Sequence, residues 1–349
     1  MKSLETKFIA KLTFTPDQLA TLRAIGEYQG KQRLYYAQSP EILKNLQRVA
    51  EIESTESSNR IEGITAPHER IEALVLKQTA PKNRSEQEVA GYRDALELIH
   101  GSAQYMTFST NVILQLHSII YRYLAGQGGV WKPVDNDIRE NYPDGTFRIR
   151  FKPVSAVLTP SWMEKLAENY KEAIHTKSLD PLIVVPLAIL DFLCVHPFKD
   201  GNGRISRLLT LLTLYHYDYQ VGKYISLERV FEESKEGYYE TLEACSKDWH
   251  QGKHNPHPWL NYFWGVLIKA YKEFEHRVGT IQTGKGTKTD QIMQIVSEKF
   301  GPFAISEIEL ALPGVSRDMI KIVLRQMKDE GKITAIGKGR GAKWQRNEG

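Results

Sequence analysis

The stretch HPFKDGNGRISR, residues 196–207, lies between two apolar segments and decides the fold prediction. The segment before it, residues 181–195 (PLIVVPLAILDFLCV), is long and apolar enough for a buried helix. Pro197 disfavours the helical conformation for the residue before it, so this helix is predicted to end there. Residues 201–203 (GNG) can form a tight turn, and the pattern from Arg204 (RISRLLTLLTLYHY) predicts a second apolar helix. The sequence therefore predicts two buried helices joined by a glycine-rich loop.

The residue types in this loop suit the binding and cleavage of a nucleoside triphosphate. A helix N-terminus offers free N–H groups and a dipole to anions, and Arg204 and Arg207 are predicted to share the helix face near that end. Arginine forks bind phosphate oxygens, and Asp200 supplies a hard oxygen ligand for Mg²⁺. The unperturbed pKa of a histidine lies near neutral, so His196 is the candidate general base. Phe198 is predicted to anchor the loop by packing. The alternative is a plain helix connector with scattered charges.

The same twelve residues resemble the Fic family signature H-P-F-x-[DE]-G-N-G-R-x-x-R at every fixed position. Only Lys199, Ile205 and Ser206 fall at its free positions. The usual activity of that family is transfer of AMP from ATP to protein hydroxyls. The resemblance implies His196 as catalytic base, Asp200 as the Mg²⁺ ligand, and ATP as substrate. It implies ATP contacts from the turn amides, Asn202 and the two arginines, and the predicted ATP-binding residues here are Gly201, Asn202, Gly203, Arg204, Ile205, Ser206 and Arg207.

A second motif lies upstream, at residues 58–63 (SNRIEG), and resembles the family's inhibitory motif [ST]-x-x-x-E-[GN]. Ser58 and Glu62 are four residues apart and share one face of a predicted helix. The family precedent is a pairing of this glutamate with the second arginine of the signature, here Arg207. That pairing withholds the arginine from the γ-phosphate, so the resemblance implies autoinhibition by a helix within the same chain. The alternative is an ordinary solvated helix face.

Three further stretches fit the resemblance. Residues 142–151 (YPDGTFRIRF) combine turn chemistry with alternating apolar residues and predict a hairpin. In Fic proteins such a hairpin is a flap that clamps the target's backbone beside the histidine; the alternative is an ordinary surface hairpin. Tyr238 and Tyr239 resemble a tyrosine pair that walls the adenine pocket, although core tyrosines are the alternative. Relatives often carry asparagine where this chain has Ser246, and residues 85–125 resemble two early core helices.

The composition is typical of a soluble, cytoplasmic protein. The chain has 349 residues, 41% hydrophobic and 25% charged, and lacks an apolar run long enough for a membrane span, so no membrane partner is expected. Cys194 and Cys245 lie in apolar helical contexts and are predicted to be reduced core thiols. His254 and His257 lack a completing Cys or carboxylate ligand, which favours a loop over a metal site.

The helical patterns predict a mainly α protein with a C-terminal winged-helix domain, and the family resemblance implies that the core is a Fic-fold helical core with a β-hairpin flap. Residues 1–80 are predicted to hold a short strand (FIAKLTF), a helix and the inhibitory helix. Residues 81–277 form the catalytic core, and residues 278–288 a Gly/Thr/Lys linker. Residues 289–349 are predicted to form three helices and a two-stranded wing.

The C-terminal tail carries the surplus positive charge of the chain. Residues 284–349 hold 12 Lys and Arg against 8 Asp and Glu, a surplus of +4 that equals the net charge of the whole chain. Such charge suits contacts to a DNA backbone, with the third helix in the major groove. The alternative is a winged helix used for protein docking or dimerisation. The candidate DNA-contacting residues are Arg317, Lys321, Arg325, Lys338, Arg340 and Lys343.

The family resemblance, together with the residue types of the two motifs, implies a protein adenylyltransferase that uses Mg²⁺ and ATP, with a Ser, Thr or Tyr hydroxyl of a target protein, or of the chain itself, as acceptor. Two alternatives stay open: a DNA-binding regulator whose Fic core senses nucleotide, and a Fic enzyme that mainly removes AMP. The sequence also leaves open whether the chain forms a homodimer.

Overall fold

The computed structural model describes residues 2–36, 40–125, 128–142, 144–175, 179–282, 288–297, 299, 301–312, 315–337 and 343–347. The chain divides into two compact units. One consists of Met1–Arg33 with Ala50–Lys272, and the other of Leu34–Val49 with Glu273–Gly349.

Helices dominate the first unit, as predicted for a mainly α fold, and three of them (α2, α3 and α12) continue into the second. They are α1 (Thr6–Ile9), α2 (Pro16–Tyr36), α3 (Pro40–Ile61), α4 (His68–Val75), α5 (Arg84–Ser102), α6 (Thr110–Ile120), α7 (Thr159–His175), α8 (Pro181–Val195), α9 (Asn202–His216), α10 (Leu227–Glu233), α11 (Lys235–Ser246) and α12 (His257–Gln282). The first unit also contains an antiparallel pair of strands, β1 (Ile138–Asn141) and β2 (Phe147–Phe151).

The buried helix α8 carries the predicted catalytic loop at its C-terminal end. Asp180 caps its N-terminus by accepting a hydrogen bond from the Leu182 N–H, and Pro181 occupies the first helical position, where a missing N–H costs nothing. Nearly all its side chains are buried, and it packs against α7 and α9. The predicted helix over residues 181–195 is confirmed.

The second predicted helix begins two residues earlier than expected. Gly201 has a φ of 84° and is the N-cap of α9, so Asn202 and Gly203 belong to the first helical turn rather than to the turn before it. A residue with a Cβ adopts this left-handed conformation only with strain, which explains glycine at position 201. The backbone N–H groups of residues 202–204 therefore lie at the N-terminus of a 15-residue helix.

The strand predicted for FIAKLTF is wrong. Residues 6–9 form the short helix α1, and the chain then turns into α2. The aromatic residues of this segment pack against histidines instead of pairing in a sheet: the Phe8 ring stacks on His254 with centroids 4.3 Å apart, and Phe14 meets His257 edge-on. His254 also bonds Ser3, as described next.

Ser3 anchors the N-terminal segment to the interior of the first unit. Its backbone N–H donates to both carboxylate oxygens of Asp191, its hydroxyl donates to Oδ1 at 2.5 Å, and Trp249 Nε1 donates to the same oxygen at 2.6 Å. Burial lowers the pKa of His254 to about 4, so its ring is neutral at pH 7 and Nε2–H can donate to the Ser3 hydroxyl at 2.9 Å. These bonds satisfy a carboxylate with no solvent exposure on α8.

We expect Ser3→Ala to lower the free energy of unfolding by about 1–3 kcal/mol, because it leaves the buried Asp191 and His254 each short of a hydrogen bond. Urea denaturation at pH 7 measures the change. Ser161→Ala is the matched control, since Ser161 is exposed and, in the part of the chain that the structure describes, its hydroxyl bonds only the Leu158 carbonyl; we expect a change within about 0.5 kcal/mol. Equal stability of the two variants would contradict the anchoring role.

The second unit contains the predicted tail helices in the predicted order: α13 (Lys288–Ser297), α14 (Ile305–Ala311) and α15 (Arg317–Asp329), followed by the antiparallel strands β3 (Ile333–Ile336) and β4 (Lys343–Arg346). Ser316 is the N-cap of α15, accepting from the Met319 N–H, as predicted. An unpredicted bridge pairs Phe303 with Trp344, which brings the segment before α14 to β4.

Two of the candidate DNA-contacting residues are paired with carboxylates. Arg317 bonds Glu309 at 2.5 Å and Lys321 bonds Asp318 at 3.1 Å. Lys338 and Arg340 lie outside the described residues. The linker prediction for residues 278–288 is wrong at its start, because residues 278–282 are the last residues of the helix α12; residues 283–287 lie outside the described residues. DNA binding by the tail stays a prediction.

No helix among the described residues is both long enough and apolar enough to span a membrane.

Candidate active site

His196 lies at the C-terminal end of α8 in a left-handed backbone conformation, with φ 50° and ψ 59°. A non-glycine residue in this region costs about 1–3 kcal/mol and needs support from its surroundings. Part of that support comes from Asn202, whose side chain accepts from the Phe198 N–H at 2.9 Å and donates to the Phe198 carbonyl at 2.8 Å. The Asn202 side chain was predicted to contact phosphates, but here it bonds the backbone of Phe198 and stabilises the loop. The group of Asn202 that can still bind phosphate is its backbone N–H.

Phe198 is a packing anchor, as predicted. It is fully buried and stacks on the His117 ring with centroids 3.7 Å apart. Nε2 of His117 lies 3.2 Å from the Asp200 carbonyl, and Nδ1 accepts from the Gly129 N–H at 2.9 Å. Burial lowers the pKa of His117 to about 4, so the neutral ring can donate to Asp200 while accepting from Gly129. His117 thereby holds the loop from the side of α6, a role that no sequence motif indicated.

The electrostatic surroundings of His196 keep its ring neutral, the protonation state that a general base requires. Its pKa is lowered to about 4, first by burial and then by the charge of Lys132, while the Leu193 carbonyl, Glu62 and Asp200 raise it. The ring is therefore neutral at pH 7 and has a nitrogen free to accept a proton. Nδ1 is enclosed and has no hydrogen bond of normal geometry within the described residues, although the Leu193 carbonyl is near enough to act on the ring. The Nδ1–H tautomer would leave Nε2 as the accepting atom.

Arg207 meets both residues of the upstream motif. Its Nε donates to the Ser58 hydroxyl at 2.8 Å, and its Nη2 donates to the Ser58 carbonyl and to Oε1 of Glu62, each at 2.8 Å. Burial lowers the pKa of Arg207, but Glu62 and other neighbours raise it by more, so the net pKa lies above its ordinary value. Arg207 is 2% exposed, whereas the Glu62 side chain is 28% exposed. The two motifs, 145 residues apart in sequence, thus form one ion pair.

Glu62 also lies directly against the first turn of α9. A Cβ placed on Gly203 would lie 2.1 Å from Oε1 of Glu62, a distance that real atoms do not adopt. Any larger residue at position 203 would therefore require the Glu62 carboxylate to shift from this position. Glu62 lies beside the helix N-terminus where phosphates are predicted to bind.

The prediction that Arg204 and Arg207 present one shared face to phosphates is wrong in this structure. Arg204 is fully buried, and its Nη1 donates to Glu88 at 2.8 Å and its Nη2 to the Tyr121 hydroxyl at 2.9 Å. A buried guanidinium needs such partners, and Glu88 on α5 supplies a carboxylate. The Arg204 side chain therefore lies in the interior between α5 and α9, and it does not line the cavity described below.

Ile205 and Ser206 also differ from their predicted role as ATP contacts. Both side chains are buried. The Ile205 N–H donates to the Gly201 carbonyl at 2.9 Å, and the Ser206 hydroxyl donates to the Gly203 carbonyl at 2.8 Å. The groups that remain suited to phosphate are the earlier backbone amides of α9 and the Arg207 guanidinium. Nη1 of Arg207 is buried without a hydrogen-bond partner among the described residues, and its Nη2 becomes available if Glu62 releases it.

Asp200 fits the predicted magnesium ligand. Its side chain is 64% exposed at the start of the glycine turn. Burial raises its pKa, but Arg204 and nearby hydrogen bonds lower it by more, so the net pKa is lowered and the carboxylate is ionised at pH 7. No cluster of three or more His, Cys, Asp or Glu within the described ranges could hold a metal by itself. A single carboxylate suits Mg²⁺, which often binds through one protein oxygen together with substrate phosphates.

A cavity of about 140 Å³ lies beside this loop and is lined mainly by apolar and aromatic groups. Tyr238 and Tyr239, in the first turn and a half of α11, form part of its wall, together with His196, Gly203 and Glu62. Aromatic walls of this kind suit a planar base. The structure thus brings the predicted tyrosine pair, base, glycine turn and inhibitory glutamate to one cavity.

The hairpin closes another side of the same cavity. Its turn is held by the Tyr142 N–H donating to the Thr146 carbonyl at 2.8 Å; Pro143 lies outside the described residues. Arg150 on β2 lines the cavity and pairs with Glu243 of α11 at 2.8 Å. Ser246 also lines the cavity.

Comparisons with known proteins agree with this geometry. Residues 107–214 match the Fic/DOC family. A Fido domain-containing protein of Dictyostelium discoideum is 28% identical over 120 residues, 33% of this chain and 80% of that protein. A Fic family protein of Desulfovibrio desulfuricans G20 has a similar fold, with a TM-score of 0.59 and 20% identity over 96% of this chain and 97% of that chain. A Fic domain containing signaling protein of Bacteroides thetaiotaomicron also has a similar fold, with a TM-score of 0.60 and 23% identity over 71% of this chain and 94% of that chain.

Proposed function

We propose that this chain, which contains a Fic/DOC family domain, is a protein adenylyltransferase that moves AMP from ATP to a Ser, Thr or Tyr hydroxyl of a target protein. The family suggests nucleotide transfer in general. One observation supports the specific activity: a neutral histidine and the first turn of α9 lie at one cavity with an aromatic wall, and the exposed Asp200 carboxylate lies in the loop that joins them.

In the proposed reaction, Nε2 of His196 takes the proton from the target hydroxyl as its oxygen attacks the α-phosphorus of ATP. The bond between the α-phosphorus and the bridging oxygen breaks, and pyrophosphate leaves with that oxygen. The amides at the start of α9 bind phosphate oxygens, and Tyr238 and Tyr239 wall the base. Mg²⁺, when bound through Asp200, neutralises phosphate charge.

The enzyme is proposed to be autoinhibited by Glu62. The ion pair with Glu62 occupies the Nη2 atom of Arg207, and the Glu62 carboxylate takes space beside Gly203. An ATP molecule in this site would lack the arginine for its γ-phosphate and would meet a like charge there. Both effects disfavour the pose that the reaction requires.

The hairpin is proposed to present the target. Phe147 and Ile149 on β2 are about half exposed, at 51% and 40%, while Phe151 at the other end of the strand lines the cavity. A target backbone could therefore contact an exposed apolar strand close to His196. Removal of AMP from a modified protein would use the same groups and is the alternative activity.

Labelled ATP distinguishes the activities. The full chain with Glu62→Gly is incubated with a cell lysate, and separately alone, using ATP labelled at either the α- or the γ-phosphate. The proposal expects protein labelling from the α-phosphate only, with release of pyrophosphate. Labelling from the γ-phosphate alone would indicate phosphoryl transfer, and loss of AMP from modified proteins without any labelling would favour the reverse activity.

A further inference from the structure

We propose that Lys132 and Asn136 are positioning residues that hold His196 in place for proton transfer by bonding the backbone on both sides of it. This inference rests on the proposed function, because it assigns a role in the same reaction. Neither residue belongs to the signature, and both precede the hairpin in the segment WKPVDN, residues 131–136.

Three carbonyl groups around His196 accept hydrogen bonds from this segment. The Lys132 N–H donates to the Pro197 carbonyl at 2.8 Å, and the Lys132 ammonium donates to the Val195 carbonyl at 3.2 Å. Asn136 Nδ2 donates to the Phe198 carbonyl at 3.1 Å. The residues directly before and after His196, and the one following, are therefore all bonded to this short segment.

Lys132 and Asn136, which we call the brace, also bond each other. The Lys132 ammonium donates to Oδ1 of Asn136 at 2.9 Å, which leaves Nδ2 of the amide facing Phe198. Lys132 is only 3% exposed, so a cation is buried at the C-terminal end of α8, where the helix carbonyls favour positive charge. Lysine side chains are rarely buried unless they are paired. The burial of Lys132 and its hydrogen bond to the loop that carries His196 therefore indicate a role in holding that loop.

His196 needs this support because its backbone is left-handed. Without the brace, the loop between α8 and α9 can relax toward ordinary backbone conformations and carry the imidazole with it. Displacement of a catalytic group by about 1 Å costs on the order of 10²-fold in rate, while substrate binding elsewhere in the site is retained. The expected signature is therefore a loss in kcat with little change in ATP affinity.

The brace also acts on His196 through charge. Lys132, Glu62 and Asp200 are the charged groups that act on the His196 ring; Lys132 lowers its pKa, and the two carboxylates raise it. Burial lowers the pKa of Lys132 to about 8 against the opposing effect of Asp135, so Lys132 is mostly charged at pH 7. Removing this charge raises the pKa of His196. The acid limb of the transfer rate then moves to higher pH, because the base is protonated sooner as pH falls.

The first test compares Lys132→Met with the matched control Lys199→Met, both in the full chain carrying Glu62→Gly. Lys199 is an exposed lysine three residues after His196, so its replacement removes a charge near the site without removing the brace. For Lys132→Met we expect kcat to fall about 10²-fold and the acid limb to rise by about half a pH unit. ATP affinity, measured by calorimetry, should change less than about threefold. Lys199→Met should retain the kcat and pH profile of the parent.

The second test uses Asn136→Ala, which breaks the bond to Phe198 but keeps the Lys132 charge. We expect kcat to fall about 10-fold with the acid limb unchanged. This partly exposed position also serves if Lys132→Met fails to fold. Parent-like kcat in Asn136→Ala, or a parent-like acid limb in a folded Lys132→Met protein, would overturn the inference.

Failure of the proposed function would appear differently. If the Glu62→Gly parent itself transfers no AMP, the function is wrong, and the brace is then tested by NMR titration of His196 in the nucleotide-free chain. An unchanged His196 pKa in Lys132→Met would overturn the electrostatic part, and unchanged backbone chemical shifts of residues 195–198 in Asn136→Ala would overturn the positioning part.

Discussion

Replacing His196 by alanine is expected to leave ATP binding intact and to lower AMP transfer by about 10²–10⁴-fold, the usual contribution of a positioned general base. The reason is local: the neutral His196 ring is the base predicted to act at this cavity, while the phosphate-binding amides of α9 belong to other residues. The change is measured as transfer from α-labelled ATP in the Glu62→Gly chain, with ATP affinity determined by calorimetry.

The control for this prediction is His175→Ala. His175 is exposed at the C-terminal end of α7, so its loss removes a histidine without affecting the cavity. We expect transfer within about twofold of the parent, since surface substitutions away from special features change little. If His196→Ala labelled targets as well as His175→Ala does, His196 would not be the base.

Glu62→Gly is expected to raise AMP transfer, including transfer to the chain itself, by about 10–10²-fold. The estimate follows from the loss of one charge-assisted hydrogen bond, worth about 1.5–3 kcal/mol, between Glu62 and Arg207. Release of this bond leaves Arg207 with Ser58 as its partner and opens the space beside Gly203. Initial rates of labelling from α-labelled ATP measure the gain.

Two further variants distinguish the effect of the Glu62 charge from the effect of the volume that its side chain fills. Glu62→Gln keeps the size of the side chain but removes its charge, so we expect a gain smaller than that of Glu62→Gly, because the amide still fills the space at Gly203. Adding Arg207→Ala to Glu62→Gly should abolish the gain, because the freed arginine is the group that acts. Equal rates for the wild-type chain and Glu62→Gly would leave the ion pair a structural contact only.

The parts of the site that could be predicted from sequence are contiguous or belong to a local pattern. The end of α8, the glycine turn and α9 follow from residues 181–207, because proline, glycine and apolar periodicity act within a few residues. The pairing of Glu62 with Arg207 crosses 145 residues, and it was predicted only through the resemblance of two motifs.

The parts that could not be predicted depend on long-range packing. Arg204 resembles a phosphate ligand in sequence, but its side chain is buried and pairs with Glu88, 116 residues earlier in the chain. Nothing in the sequence distinguishes Lys132 from a lysine exposed on the surface, and its burial is known only from the structure. The first strand of the hairpin, residues 138–141 (IREN), is largely polar and carries no alternating signal. FIAKLTF carries an apolar pattern typical of a strand, but its aromatic residues pack on histidines instead.

The close approach of Glu62 to Gly203 and Arg207 has an evolutionary consequence. Both residues that hold the carboxylate belong to the proposed ATP site, so a substitution in residues 196–207 that expels Glu62 also damages the site it would open. Substitutions that raise the activity are therefore expected at Glu62 and in the helix that carries it, and not in residues 196–207. In a genetic selection for unrestrained variants, we expect the surviving changes to map to the C-terminal turn of α3 and the residues after it, with the signature itself unchanged.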